Sequence, residues 1–371
     1  MAIKVLHVIN SLCTGGAQVC LRDIVNDKTE GFEHHIYTLR PDSHKFKFDV
    51  EVFESGYRNY DIRKFFYLVS LCRRLKIDIV HAHLHKASIF AVLLKKFYNC
   101  KVIIHEHGPI ERKGLDFTVY RAFMKYPGRG SDKVIAVSEH IKKLLIEVTG
   151  IDENKIALFR NAVDTTVFMP SGQDRNRWRD KYGVSNSFVI GYIGRLKYVK
   201  GIDILIKAFD LIKRNGADIK LLIVGDGGDK AQLEQLAAAA NYSRDIIFTG
   251  FCEKPHEIMQ AFDIGAVPSR QDPCPLVIFE LMACGAVIIT SGVEGIGEVV
   301  KHRHNGLIFS NNPQGIASCV EMLMSFPQLY ADIKENGFKT AEQYDISFYR
   351  EKMRKLYEHL LENQTAMQSK K

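Results

Sequence analysis

Residues 270–290 read RQDPCPLVIFELMACGAVIIT and place two acids, Asp272 and Glu280, eight positions apart. The apolar IGAVPS before them predicts a strand ending near Ser269, RQDPCP a loop, and the run that follows a helix starting near Leu276 or Val277. The free N–H groups of such a first turn form an anion site, reinforced by the helix dipole. Glu280, about one turn in, is placed to accept hydrogen bonds from two vicinal hydroxyls, with Asp272 across the loop on the other side of any bound anion. A ligand with a diol, a phosphate and a second hydroxylated ring fits these three features, and a nucleoside diphosphate sugar has that layout. Taken alone, the plainer reading is the stronger: Asp272 as a turn residue and Glu280 as an exposed helix acid.

The surroundings add cations and glycines. GYIGRLKYVKG sets Arg195 just past a strand and Lys200 before a helix, two positive charges suited to a diphosphate, or equally to ion pairs with surface acids. VGDGGDK, with Gly225, is a glycine-rich strand-to-helix turn, a weak nucleotide signal by itself. INSLCTGGAQVC sets Gly15 and Gly16 where bare backbone approaches a phosphate. It is not G-x-G-x-x-G, so a hydride-transfer dinucleotide enzyme loses its main support. His81, His83 and His85 alternate along or just past one predicted strand, and His105 and His107 repeat the pattern on the next. A metal site is one reading; only Glu106 accompanies them as an acid, and the expectation is that no metal is bound.

These residues need a frame. Short apolar runs (IKVLHVI, HHIYTL, DIVHAH, KVIIHEHG, KVIAVS) alternate with helical patterns, which argues for a parallel sheet covered on both faces. The expected fold class is α/β, doubly wound. The texture turns polar in TTVFMPSGQDRNRWRDKYGVSNS, and the alternation restarts at FVIGYIG. Two Rossmann-like domains are expected, 1–170 and 171–345, with a closing helix over 346–363 and a tail, QTAMQSKK, too polar to order itself.

Composition narrows the class further. Of the formal charge of +8 over 371 residues, residues 1–170 hold 26 Lys and Arg against 19 Asp and Glu, and the remainder 25 against 24. The basic first half interleaves aromatics in SHKFKFDV, RKFFYLVSLCRRLK and RAFMKYPGRG, a texture suited to an anionic membrane surface or simply to a solvated face. No nucleic-acid motif is present. The eight cysteines form no C-x-x-C pair and read as buried thiols of a reducing compartment, and no apolar run is long enough to span a bilayer. The chain is expected in the cytoplasm, peripheral on the inner face of the cytoplasmic membrane.

Ten pieces in order cover nearly the whole chain: GGAQ, HAHLHKAS, HEHG, VIAVSEHIKK, LFRNAVDTTVFMP, GYIGRLKYVKG, LLIVGDGGDK, IIFTGF, PSRQDPCPLVIFELMACGAVIIT and NGLIF. Together they resemble the retaining GT-B glycosyltransferases of family 4. The resemblance implies two Rossmann-like domains facing a cleft, the first for the acceptor and the second for the nucleotide sugar, with the last helix crossing back to the first domain. It implies transfer with retention, no cofactor and no divalent metal. Residue by residue, Glu280 matches the acid that holds the nucleotide ribose, Arg195 and Lys200 the pair on the diphosphate, Gly16 with Gly15 the loop beside the phosphates, and His107 the histidine that reaches the transferred sugar. Leu276, Val277, Gly225 and Phe251 fall at donor-nucleotide positions, and Ser138, Asn161 and His83 at cleft positions. Asp272 stands where the family's E-x7-E pattern has its first Glu, which shortens its reach to the donor sugar by about 1.5 Å.

The function so implied is transfer of a sugar from a nucleoside diphosphate sugar, UDP ahead of GDP, to a glycan or lipid-linked glycan in bacterial surface polysaccharide or lipopolysaccharide synthesis. A nucleotide-sugar epimerase or hydrolase on the same fold, and a non-catalytic carbohydrate-binding protein, are the alternatives.

Overall fold

The computed structural model describes residues 2–13, 15–40, 48–57, 61–108, 130–214 and 218–368, with side chains to Glu362. Most of SHKFKFDV, and RAFMKYPGRG up to Arg129, lie outside the described residues. The chain divides into two compact units, 1–161 with 347–371, and 162–346.

Among the described residues the first unit holds seven parallel strands: β1 (Ile3–Ile9), β2 (Phe32–Thr38), β3 (Glu51–Glu54), β4 (Ile79–His83), β5 (Lys101–Glu106), β6 (Lys133–Ala136) and β7 (Ile156–Leu158), in the order β3-β2-β1-β4-β5-β6-β7. The second holds six: β8 (Phe188–Ile193), β9 (Ile219–Val224), β10 (Ile246–Gly250), β11 (Ile264–Val267), β12 (Val287–Thr290) and β13 (Leu307–Ile308), in the order β10-β9-β8-β11-β12-β13. Both orders reverse direction beside the first strand of the unit, β1/β4 and β8/β11. Such a switch point leaves a crevice beyond the carboxyl ends of the strands, because the connections on either side depart over opposite faces. In the second unit the strands are largely apolar because helices cover both faces: Ile190, Leu221, Ile223, Ile264 and Ile289 are all fully buried.

Several expectations change. The polar stretch around 165–187 contains a ten-residue helix, Gly172–Lys181, and the units divide at Asn161/Ala162 instead of 170/171. That helix carries no apolar stripe; charge fixes it instead. Arg175 Nη2 and Arg179 Nη1 reach the Asp263 carboxylate at 2.6 and 3.2 Å, and Arg179 also donates to the Ala261 carbonyl at 2.9 Å. The last helix runs Ile346–Gln368, well into QTAMQSKK. It lies on the first unit: Tyr349 Oη is 3.3 Å from Cys20 Sγ, Arg350 Nε donates to the Asp23 carbonyl at 2.8 Å, and Lys352 Nζ to that of Leu158 at 2.7 Å. Not every thiol is buried, since Cys13 is exposed and Cys252 half-buried. Among the described residues no helix is long and apolar enough to cross a membrane.

Candidate functional site

At the β8/β11 switch point the chain passes backbone against backbone. Gly194 and Gly225 follow β8 and β9 with φ of +153° and +140°, and a Cβ on Gly225 would fall 1.9 Å from the Gly194 carbonyl oxygen. A Cβ on Gly201, at φ +70°, would fall equally close to the Pro268 carbonyl oxygen. Only glycine satisfies both the backbone angle and the approach. The loop after β8 thereby sits down on the loops after β9 and β11, and Leu196 N donates to the Asp226 carbonyl at 2.9 Å.

Arg270 clamps the third side. Its guanidinium forks onto Asp203 with both bonds at 2.8 Å, donates to the Tyr198 carbonyl at 2.6 Å, and stacks 3.9 Å above the Tyr198 ring. Such a planar, bidentate contact fixes the turn Tyr198–Lys200 more firmly than a point charge would.

Within this frame Lys200 Nζ donates to Asp272, whose Oδ2 also lies 3.4 Å from Ser269 Oγ. Asp272 is buried. Arg195 is exposed two residues past β8, and its guanidinium has no partner among the described residues. The helix Leu276–Ala283 starts behind Pro275 with no side chain capping its first turn. Leu276, Val277 and Glu280 are each half-buried on it. Phe251, just past β10, keeps about half its surface exposed. Arg195, Lys200, Gly225, Asp272 and the helix start are thus gathered at the carboxyl ends of β8, β9 and β11.

In the first unit Gly15 precedes the helix Gly16–Val25 in extended backbone, with no side chain capping that start either. Ser138 is committed to its own helix: Oγ accepts from Ile141 N at 3.2 Å, and only 1% of the residue is exposed. Asn161 is buried at the end of the unit. His83 is fully buried and so lines no open surface.

The histidines share one face of the sheet. His7 pairs in register with His81, and His83 with His105, so strand alternation sends them all to the same side. His7 Nδ1 lies 3.1 Å from His83 Nε2, His7 Nε2 3.0 Å from His34 Nδ1, and His83 Nδ1 3.1 Å from His107 Nε2. His81 Nδ1 is 2.8 Å from Tyr357 Oη. The His105 ring stacks 3.8 Å from that of His107, with both its nitrogens buried and unpartnered. Burial holds His7, His81, His83 and His105 well below the ordinary range, with neighbouring histidines adding to the effect; it holds His34 down to about 4 and His107 to about 3. The face is therefore neutral at physiological pH. Glu106, on the opposite side, is pushed up to about 7 by burial, against backbone hydrogen bonds from Gly108 N, at 3.3 Å, and His107. Two groups, His7/His81/His83 and Cys20/His105/His107, bring one ligand atom each to within 4.8 Å of the others, near enough for a metal. In the first, the nitrogens of His7 and His83 already hydrogen-bond each other.

His85 lies just past β4, as the first residue of the helix His85–Leu94. His7 and His34 are members of the face that reading the sequence missed. Their signal was a lone histidine inside the apolar IKVLHVI and a second in FEHHIYT.

Comparison with known proteins sets this geometry in a family. Residues 14–167 match Glycosyltransferase Family 4 and residues 174–340 match Glycosyl transferases group 1, one description for most of each unit. An uncharacterised glycosyltransferase of Methanocaldococcus jannaschii is 30% identical over 202 residues, 53% of this chain and about half (51%) of that protein. The N,N'-diacetylbacillosaminyl-diphospho-undecaprenol alpha-1,3-N-acetylgalactosaminyltransferase of Campylobacter jejuni is 22% identical over 321 residues, 81% of this chain and 82% of that one. The fold of HepE from Anabaena, solved in complex with UDP-glucose, superposes with a TM-score of 0.87 at 23% identity, covering 96% of this chain and 100% of HepE. Two parallel-sheet Rossmann-like units with these matches constitute the GT-B fold, and the chain belongs to the group 1, family 4 glycosyltransferases.

Proposed function

We propose that this protein is a retaining, metal-independent glycosyltransferase that moves a sugar from a UDP-sugar to a lipid-linked glycan during bacterial surface polysaccharide or lipopolysaccharide synthesis. The observation that carries the donor half is the convergence of Arg195, Lys200, bare Gly225 backbone and an uncapped helix start at one switch point. A leaving nucleoside diphosphate gains negative charge as the glycosidic bond breaks. Fixed cations and N–H dipoles stabilise that charge without a divalent ion. Glu280 holds the ribose diol, and Asp272 a hydroxyl of the donor sugar.

Lys200 is shared between two partners in this reading. Without donor it neutralises Asp272; with donor its other protons turn to the β-phosphate. For retention, the acceptor oxygen bonds the anomeric carbon on the face from which the phosphate departs, and its proton passes to the departing phosphate oxygen. The lipid-linked acceptor is supported by the Campylobacter relative, whose name specifies an undecaprenol diphosphate glycan. The UDP-sugar is supported by the complex of HepE.

The test uses the purified full chain. UDP-sugars should raise its melting temperature above any effect of GDP- or ADP-sugars, since a ligand that binds only the folded state stabilises it by mass action. Labelled donor should then pass to a polyprenyl-diphosphate glycan equally well with and without EDTA, giving the product anomer of the donor. Isomerised donor in the absence of acceptor, loss of transfer with EDTA, or no shift with any nucleotide sugar would each overturn the proposal.

A further inference from the structure

The four imidazoles of His34, His7, His83 and His107 are joined head to tail. Each junction sets the Nδ1 of one ring against the Nε2 of the next: His34 Nδ1 to His7 Nε2 at 3.0 Å, His7 Nδ1 to His83 Nε2 at 3.1 Å, and His83 Nδ1 to His107 Nε2 at 3.1 Å. The series crosses the sheet from β2 through β1 and β4 to the carboxyl end of β5. His7 and His83 are fully buried inside it. Its two terminal nitrogens, His34 Nε2 and His107 Nδ1, have no partner among the described residues.

A neutral imidazole carries one N–H and one lone pair, so a junction works only when one ring donates and the next accepts. With all three junctions oriented alike, only two arrangements satisfy every bond. In one, every ring is the Nε2–H tautomer, each N–H points toward His34, and His107 Nδ1 is left as an acceptor. In the other, every ring is Nδ1–H and His107 Nδ1 is left as a donor. A mixed series faces two N–H groups, or two lone pairs, at about 3 Å; the central His7–His83 junction is buried, where an unmade bond is most costly, and the two outer junctions are part-buried. The rings therefore switch together.

We propose that His83, His7 and His34 are positioning residues that fix the tautomer of His107, and so decide whether its Nδ1 gives or receives a hydrogen bond at the carboxyl end of the first sheet. The group that meets Nδ1 is a ligand hydroxyl, which both donates and accepts and so reads either state. Should a proton enter at His34 Nε2 while the rings are Nδ1–H, each ring passes its own proton on and His107 Nδ1 releases one. One proton enters, one leaves, and the series ends as Nε2–H. The ring of His105, stacked on His107, fixes the plane in which this happens.

The test reads tautomers directly, by long-range 1H–15N correlation of the full chain labelled in its histidine rings at neutral pH. The expected result is one tautomer common to His34, His7, His83 and His107. In His34→Leu, which removes the far end three rings from His107, the His107 ring nitrogens should shift toward a mixed population. In His34→Asn, whose amide sits where Nδ1 was, they should return to the wild-type pattern. Mixed tautomers in the wild type, or a His107 signature indifferent to residue 34 in a folded variant, would overturn the relay. His7→Phe, which keeps the ring volume, serves as the second variant should His34→Leu fail to fold.

The kinetic arm rests on the proposed glycosyl transfer: His34→Leu should lower kcat about tenfold at nearly constant KM, and His34→Asn should restore it. A shifted tautomer with unchanged kcat would overturn the positioning role and keep the relay. A wild type that transfers no sugar would count against the function alone, since the tautomer readout needs no substrate.

Discussion

Lys200, on the turn after β8, gives its ammonium to Asp272, on the loop after β11, 72 residues further along the chain. The pair bridges the switch point of the second sheet. It holds together the two side chains proposed above to meet opposite ends of a donor's diphosphate sugar.

Removing one partner should hurt more than removing both. Lys200→Met leaves Asp272 buried without a cation, with Ser269 Oγ at 3.4 Å, which costs about 3 kcal/mol, the low end for a broken buried pair because Lys200 is partly open to water. The double variant Lys200→Met/Asp272→Asn should recover most of that loss in a urea melt. Neither should regain transfer, because the cation is still missing. An active double variant would remove Lys200 from the chemistry.

Glycine substitutions should separate by backbone geometry. Gly201→Ala and Gly225→Ala each set a Cβ 1.9 Å from a carbonyl oxygen at a positive φ, and should cost about 2–4 kcal/mol along with donor binding. Gly228→Ala, three residues beyond Gly225, meets nothing within 4 Å and should stay within about 0.5 kcal/mol of wild type. Differential scanning calorimetry with and without UDP-sugar distinguishes the two classes.

Acid should unfold the protein through the first unit. Burial holds His7, His81, His83 and His105 well below the range near 6.5 that they regain on unfolding. Between those values the unfolded chain binds more protons, so stability is whole above about pH 6.5 and falls as pH drops, by up to about 1.4 kcal/mol per pH unit for each histidine. Glu106 tilts the other way. Its folded value of about 7 means that its contribution is present at low pH and lost as pH rises toward 7. Four histidines outweigh one glutamate, and melts between pH 7.5 and 5 should show a steep net loss, made shallower in His105→Phe.

Tyr357→Phe should loosen the last helix. The change leaves His81 Nδ1 without its 2.8 Å partner, when Nε2 of the same ring is already buried and unpartnered. A cost of about 1–3 kcal/mol follows from the orphaned group. Tyr349→Phe loses only a contact to the Cys20 sulfur, a weak hydrogen-bonding atom, and should cost less. Hydrogen exchange across residues 346–362 measures both.

The sequence by itself determined the class of fold, because strands covered on both faces must be apolar along their whole length, and that pattern is local. It also determined where loops meet strand ends, and hence that Arg195, Lys200, Gly225 and Asp272 lie near one edge. It could not reveal the helix Gly172–Lys181, since this is held by Arg175 and Arg179 on Asp263, some 85 residues away, and shows no apolar period. Nor could it join His34 and His7 to His83 and His107. Alternation within a strand is legible at a spacing of two, but which strands are neighbours is settled only when β1 inserts between β2 and β4. That insertion, with the return of the last helix to cover the face, turned scattered histidines into one hydrogen-bonded series.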